Sequence, residues 1–122
     1  MAYYKDNKGY ILVRNGNEQM RHGEVRVSKH AASMALSNYI KANDLAFLKR
    51  DGCNNDIANA IDWVYAWVNR DDMSLKAANA EFQSWQKSKY IVKQHDLDLV
   101  DELREKEFAR WEIVEVPVVP AV

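Results

Sequence analysis

Three histidines, one cysteine and a scatter of carboxylates are the residues of this 122-residue chain suited to metal binding or nucleophilic catalysis. Zinc sites draw on closely spaced ligands, two Cys separated by two residues or two His one helical turn apart. His22, His30, His95 and Cys53 show no such pairing, so no metal and no cofactor is expected. Cys53 precedes Asn54-Asn55 near an expected helix start, where a helix dipole would lower a thiol pKa. No base is spaced to activate it, and a structural cysteine is the simpler expectation. The glycines stand apart at positions 9, 16, 23 and 52, which leaves no glycine-rich loop to cradle a phosphate. No catalytic constellation emerges, and the chain is expected not to be an enzyme.

The dipeptide His95-Asp96 is similar to the adjacent pair of HD-type phosphohydrolases, with His30 and Asp101 as further ligands. The pair is common by chance, and the simpler expectation puts His95 in a loop with Asp96 helping to cap the last helix. No family follows from it.

Aromatic residues carry a stronger signal. Trp63, Trp67, Trp85 and Trp111, with Tyr65 and Phe82, are more large rings than a small core always requires. Trp63 and Trp67 lie in Ile57–Val68, which is apolar almost all round a helix. Ile57, Ile61, Val64, Tyr65 and Val68 follow one helical face, and Ala60, Trp63 and Trp67 make a second beside it. Such a helix is either the centre of a small core or part of an interface between chains.

The elements that position these residues can be read in order. Tyr10–Arg14 suits a strand, Asn15-Gly16-Asn17 a turn, and the alternating Glu24–Val27 a second, half-buried strand. Ser28 is placed to cap a helix reaching about Ala42, on which Ala32, Leu36, Tyr39 and Ile40 share a face. A short helical turn is expected over Asp44–Lys49, and the central helix over 56–69. Asp72 or Ser74 can start the next, with Leu75, Ala78, Phe82 and Trp85 on one side; Lys89–Lys93 has strand-like content. A last helix is expected from Asp98 to about Arg110, buried mainly through Val100, Leu103 and Phe108, and Trp111–Val116 alternates as a strand that Pro117 stops.

The expected fold is α+β and predominantly helical: about four helices around the apolar 56–69 helix, with a small antiparallel sheet from strands 10–14, 24–27 and 111–116. Residues 1–116 are expected to form one globular domain and 117–122 a flexible Pro/Val tail. No run approaches the roughly 18 apolar residues a membrane span needs. The opening Met-Ala-Tyr-Tyr-Lys-Asp-Asn-Lys lacks an apolar secretory region and Cys53 is unpaired, so a cytoplasmic location is expected.

Net charge is only −1, yet it is unevenly placed: residues 1–53 carry nine Lys/Arg against five Asp/Glu, residues 96–122 three against eight. A bipolar surface of this kind can dock a charged partner or stack on a copy of itself. These features point to a non-enzymatic interaction domain, an adaptor, inhibitor or assembly factor whose partner is another protein or a copy of itself. Its size and mixed charge would suit an accessory protein of a virus or mobile element. The expected contact residues are Trp63 and Trp67, with Glu102, Glu105 and Glu107 of the acidic last helix steering the approach. The alternative is a nucleic-acid accessory protein in which 73–93 resembles a helix-turn-helix and Lys87, Lys89 and Lys93 contact phosphates.

Overall fold

Lys8–Arg14 (β1) and Trp111–Pro117 (β2), the two segments rich in β-branched and aromatic residues near the ends of the chain, pair antiparallel from Lys8↔Pro117 to Arg14↔Trp111. The computed structural model describes residues 7–15, 25–86 and 89–118. Among these residues the fold is α+β and mostly helical, with five helices joining the two strands. Gly16 and Asn17 of the expected turn, the segment 18–23 that follows it, Glu24 of the expected second strand and the end of the tail at 119–122 lie outside the described residues. The chain divides into two compact units, Met1–Ala42 with Lys106–Val122, and Asn43–Glu105.

In the first unit, the described part of the strand expected over 24–27 forms one antiparallel bridge, in which Tyr10 and Arg26 exchange backbone hydrogen bonds of 2.9 and 2.7 Å. The ladder stops there because the chain must leave the sheet to enter helix α1 (Lys29–Lys41), which the Ser28 hydroxyl caps by accepting from the Ala31 N–H at 3.0 Å. Gly9 permits this close approach: a Cβ at that position would lie 2.2 Å from Val25 Cγ1 and 2.9 Å from Val118 Cγ2. α1 buries Ala32, Leu36 and Ile40 at helical spacing and packs on both strands. Tyr39 meets the Trp111 ring edge-on at 5.6 Å. Ile11, Leu12 and Val13 are all buried. Pro117, expected to begin the tail, instead ends β2, and the Val118 N–H donates to Asn7 O at 2.8 Å.

The second unit is built on α3 (Asn55–Arg70), capped by the Asn54 side chain, which accepts from the Ile57 N–H at 2.9 Å. Ala58, Ala60, Ile61, Val64 and Tyr65 are buried. Helices α2 (Asp44–Arg50) and α4 (Leu75–Gln86) pack against α3. α5 (Gln94–Phe108) starts four residues before the expected Asp98. The reason is Asp96, whose carboxylate accepts from the Lys93 N–H at 2.9 Å and from the Tyr90 hydroxyl at 2.7 Å. Val92, Leu97 and Val100 join the core, whereas Phe108, expected on the buried side, is 37% exposed.

The strand-like stretch Lys89–Lys93 forms neither helix nor strand, but its backbone is still paired. The buried Asn79 amide donates to Val92 O and accepts from the Val92 N–H, both at 2.8 Å. One side chain thus occupies the place of a neighbouring strand, exchanging the two bonds that a backbone residue would. Asn79 donates as well to Leu75 O at 3.1 Å.

Candidate functional site

The residues that stand out are large rings on α3 and α4. Trp63 and Trp67, one turn apart on α3, have centroids 5.7 Å apart. Trp85, near the end of α4, meets Trp63 edge-on at 5.1 Å and Phe82 at 6.3 Å, and Trp67 lies 6.4 Å from Phe82. Phe82 is buried at 2% exposure, Trp63 and Trp67 are half-buried against the core, and Trp85 is 54% exposed. The arrangement is a continuous aromatic patch rooted in the core by Phe82 and opening to solvent at Trp85. Edge-on and tilted packing fixes the rings relative to one another, so the exposed indole is held by its neighbours.

Trp85 was missed in the sequence because it falls in phase with Leu75, Ala78 and Phe82 and reads as a further core residue. The available signal was its place at the end of that helix, next to the polar Gln86-Lys87-Ser88-Lys89.

The acidic residues expected on the last helix separate into two groups. Glu102 and Glu105 are exposed, as are Asp98 and Asp101 on the same side of α5. Glu107 departs from the expected steering role: it is 1% exposed. Its carboxylate accepts from Arg14 Nε at 2.8 Å and Nη2 at 3.4 Å, from Trp111 Nε1 at 3.2 Å and from Arg110 Nη1 at 3.3 Å. The Glu107 hydrogen bond raises the Arg14 pKa against the opposing effect of burial. This is a satisfied internal ion pair tying β1 and β2 to the end of α5, and it offers nothing to a partner.

The second unit holds a comparable network. Arg104 spans both Asp44 oxygens at 2.8 and 2.5 Å, donates to the Tyr65 hydroxyl at 3.0 Å and lies over the Tyr65 ring at 4.6 Å. Tyr65 in turn donates to Asp101 at 2.6 Å. Burial, and then the bond to Asp101, push the Tyr65 pKa up to about 12. Asp62, on α3, also has a raised pKa, through burial first and Asp44 second, with Arg104 opposing. A phenol held so high, bonded to a carboxylate and a guanidinium, is a positioned structural group and not a base at neutral pH.

Among the described residues no cluster of three His, Cys, Asp or Glu is placed to hold a metal ion. His95 lies inside α5 and not in a loop, 3.3 Å from Asp96, while Asp96 caps as expected. The Cys53 thiol pKa is raised, by burial and then by Asp51 and Asp96, so the environment opposes the activation a helix start would give. No helix among the described residues is long and apolar enough to cross a membrane.

The helix-turn-helix expectation for 73–93 meets a different backbone. α4 runs unbroken to Gln86, through the position where the turn would fall, and 89–93 is not helical. Phe82 and Trp85 pack on the same neighbouring helix, which keeps α4 one piece. Lys89 and Lys93 are exposed, and Lys87 lies outside the described residues.

No match settles the assignment. The chain matches no protein-family model, no curated protein and no solved structure.

Proposed function

We propose that the chain is a non-enzymatic protein-interaction domain of the reducing cytoplasm, an adaptor, inhibitor or assembly factor that docks through Trp85 with Trp63 and Trp67 beneath it. The observation that carries this is the 54% exposure of Trp85 on a packed aromatic base. An exposed indole held by its neighbours gives a partner a large apolar surface with little left to order, which is how tryptophan comes to dominate interface energies. Glu102 and Glu105 on α5 add long-range attraction for a partner with a basic surface.

A pull-down from the native cell, with nuclease and with wild-type and Trp85→Ala baits, tests the reading. A stoichiometric protein that survives nuclease and is depleted at least about tenfold by Trp85→Ala is expected. Sedimentation extends the same test to a second copy: self-association weakened by Trp85→Ala makes the partner the chain itself. Partners recovered only without nuclease, or binding indifferent to Trp85, would overturn the aromatic docking role.

A further inference from the structure

A groove on α4 is not explained by the aromatic patch. It has a volume of about 710 Å³ and lies between one face of α4 and the stretch Ile91–Gln94, within the size range of sites that enclose ligand side chains. Leu75, Ala80, Ile91 and Val92 give it an apolar surface, and Ile91 is 49% exposed. The wall opposite α4 is pinned, because Asn79 holds the Val92 N–H and C=O at 2.8 Å. A groove whose two sides are already locked together does not have to be ordered when a ligand enters.

The charged residues of its described lining are all basic. Lys76 and Lys93 line it and none of its described lining residues is acidic, the Asp98 carboxylate reaching only its margin, where it accepts from the lining Gln94 side chain at 3.1 Å. α4 runs on from Asn79 to Gln86, yet Val92, later in the chain, lies level with Asn79, so the segment 89–92 leads back along α4 and the two sides run in opposite directions. Lys76, almost a turn before Asn79, and Lys93, next to Val92, therefore stand at the same end. That end is also where α4 begins, with no acidic residue in its first turn; the Ser74 hydroxyl accepts from the Ala77 N–H at 3.1 Å, and the helix dipole adds to the positive potential. Gln83, the described lining residue toward the other end, is uncharged.

We propose that this groove binds a short acidic segment of another protein, its apolar side chains along Leu75, Ala80 and Ile91 and its carboxylates at Lys76 and Lys93. The polarity of the groove sets the direction of the segment, and charge complementarity sets its sign. The site goes beyond the aromatic docking surface and does not depend on it.

Fluorescence anisotropy with a fluorescein-labelled peptide of leucines and valines ending in glutamates tests it on the whole chain. Saturable binding is expected. It should weaken at least about tenfold in the Lys76→Glu/Lys93→Glu variant and in Ile91→Asp, and fall with added salt. Met34→Ala, on the other unit, should bind as wild type. The altered groove residues are exposed, so circular dichroism should show unchanged helix. Equal binding of a peptide with lysines in place of the glutamates, no binding at all, or loss of binding in Trp85→Ala instead of the groove variants would overturn the proposal. Self-association abolished by the lysine pair variant, without peptide binding, would give the groove to a second copy and overturn it too.

Discussion

The last turns of α4 and α5 reverse the usual placement of side chains in opposite ways. α4 ends with an indole 54% exposed, and α5 ends with a carboxylate 1% exposed. Exposed large apolar groups and buried charges are the informative exceptions to ordinary burial, and the difference lies in what compensates each. Glu107 has Arg14, Arg110 and Trp111 as donors, so the cost of taking its charge out of water is offset inside the unit. Trp85 has ring contacts on one side and solvent on the other. The compensated group belongs to the fold, while the uncompensated one is the surface we propose for a partner.

Removing Glu107 should break the comparison most severely. Glu107→Ala leaves the Arg14 guanidinium, with a side chain 19% exposed, beside a hole that its counterion filled. A loss of about 3–5 kcal/mol is expected for one partner of a buried pair. Urea titration checks it; a loss under about 1 kcal/mol would mean that Arg14 reaches water without the carboxylate.

Asn79→Ala comes next. It strands the N–H and C=O of Val92, each a buried group costing about 1–3 kcal/mol when unpaired. A destabilisation of about 2–3 kcal/mol is expected, with faster amide exchange confined to Ile91–Gln94. Exchange spread evenly over α4 would show that the amide supports the helix and not the groove wall. Trp85→Ala, two turns along the same helix, should cost under about 1 kcal/mol in thermal unfolding while it depletes the partner. A large loss of stability with no change in binding would return Trp85 to the core.

How much of this was legible follows from the same contrast. Local signals specified the elements well: the Ser28 cap, the apolar run of α3 and the alternation of β2 each have a cause within a few residues. The sheet between β1 and β2 was legible because each end of the chain offers a strand pattern, whereas the equally alternating 24–27 contributes only the bridge at Arg26 among the described residues. The fate of the individual side chains at helix ends was not. Glu105 and Glu107 are the same residue type two positions apart, and the arrival of Arg14 from β1, distant in sequence, completes with Arg110 and Trp111 the donor set of one of them. Trp85 keeps the phase of a core residue, and its exposure depends on where the neighbouring helix stops covering it. Asn79 was invisible for a similar reason, since nothing local tells an amide that its partner is the backbone of residue 92.

The smallest effect sharpens the comparison at a third carboxylate, neither fully compensated nor free. Asp62 is half-buried on α3, and burial and Asp44 raise its pKa against the pull of Arg104. In the folded state it holds its proton to higher pH than in the unfolded chain. The stabilisation this provides is therefore complete below the unfolded pKa and is lost as pH rises through the raised folded value. Asp62→Asn keeps the shape of the protonated acid and removes the titration. Its melting temperature should match wild type in acid and lie slightly above it at neutral pH, the difference small because solvent screens a half-exposed group. Melting curves across that range decide the point. A neutral-pH melting temperature below wild type would show that the charged carboxylate is held by the Arg104 network, and Asp62 would then join Glu107 among the compensated acids.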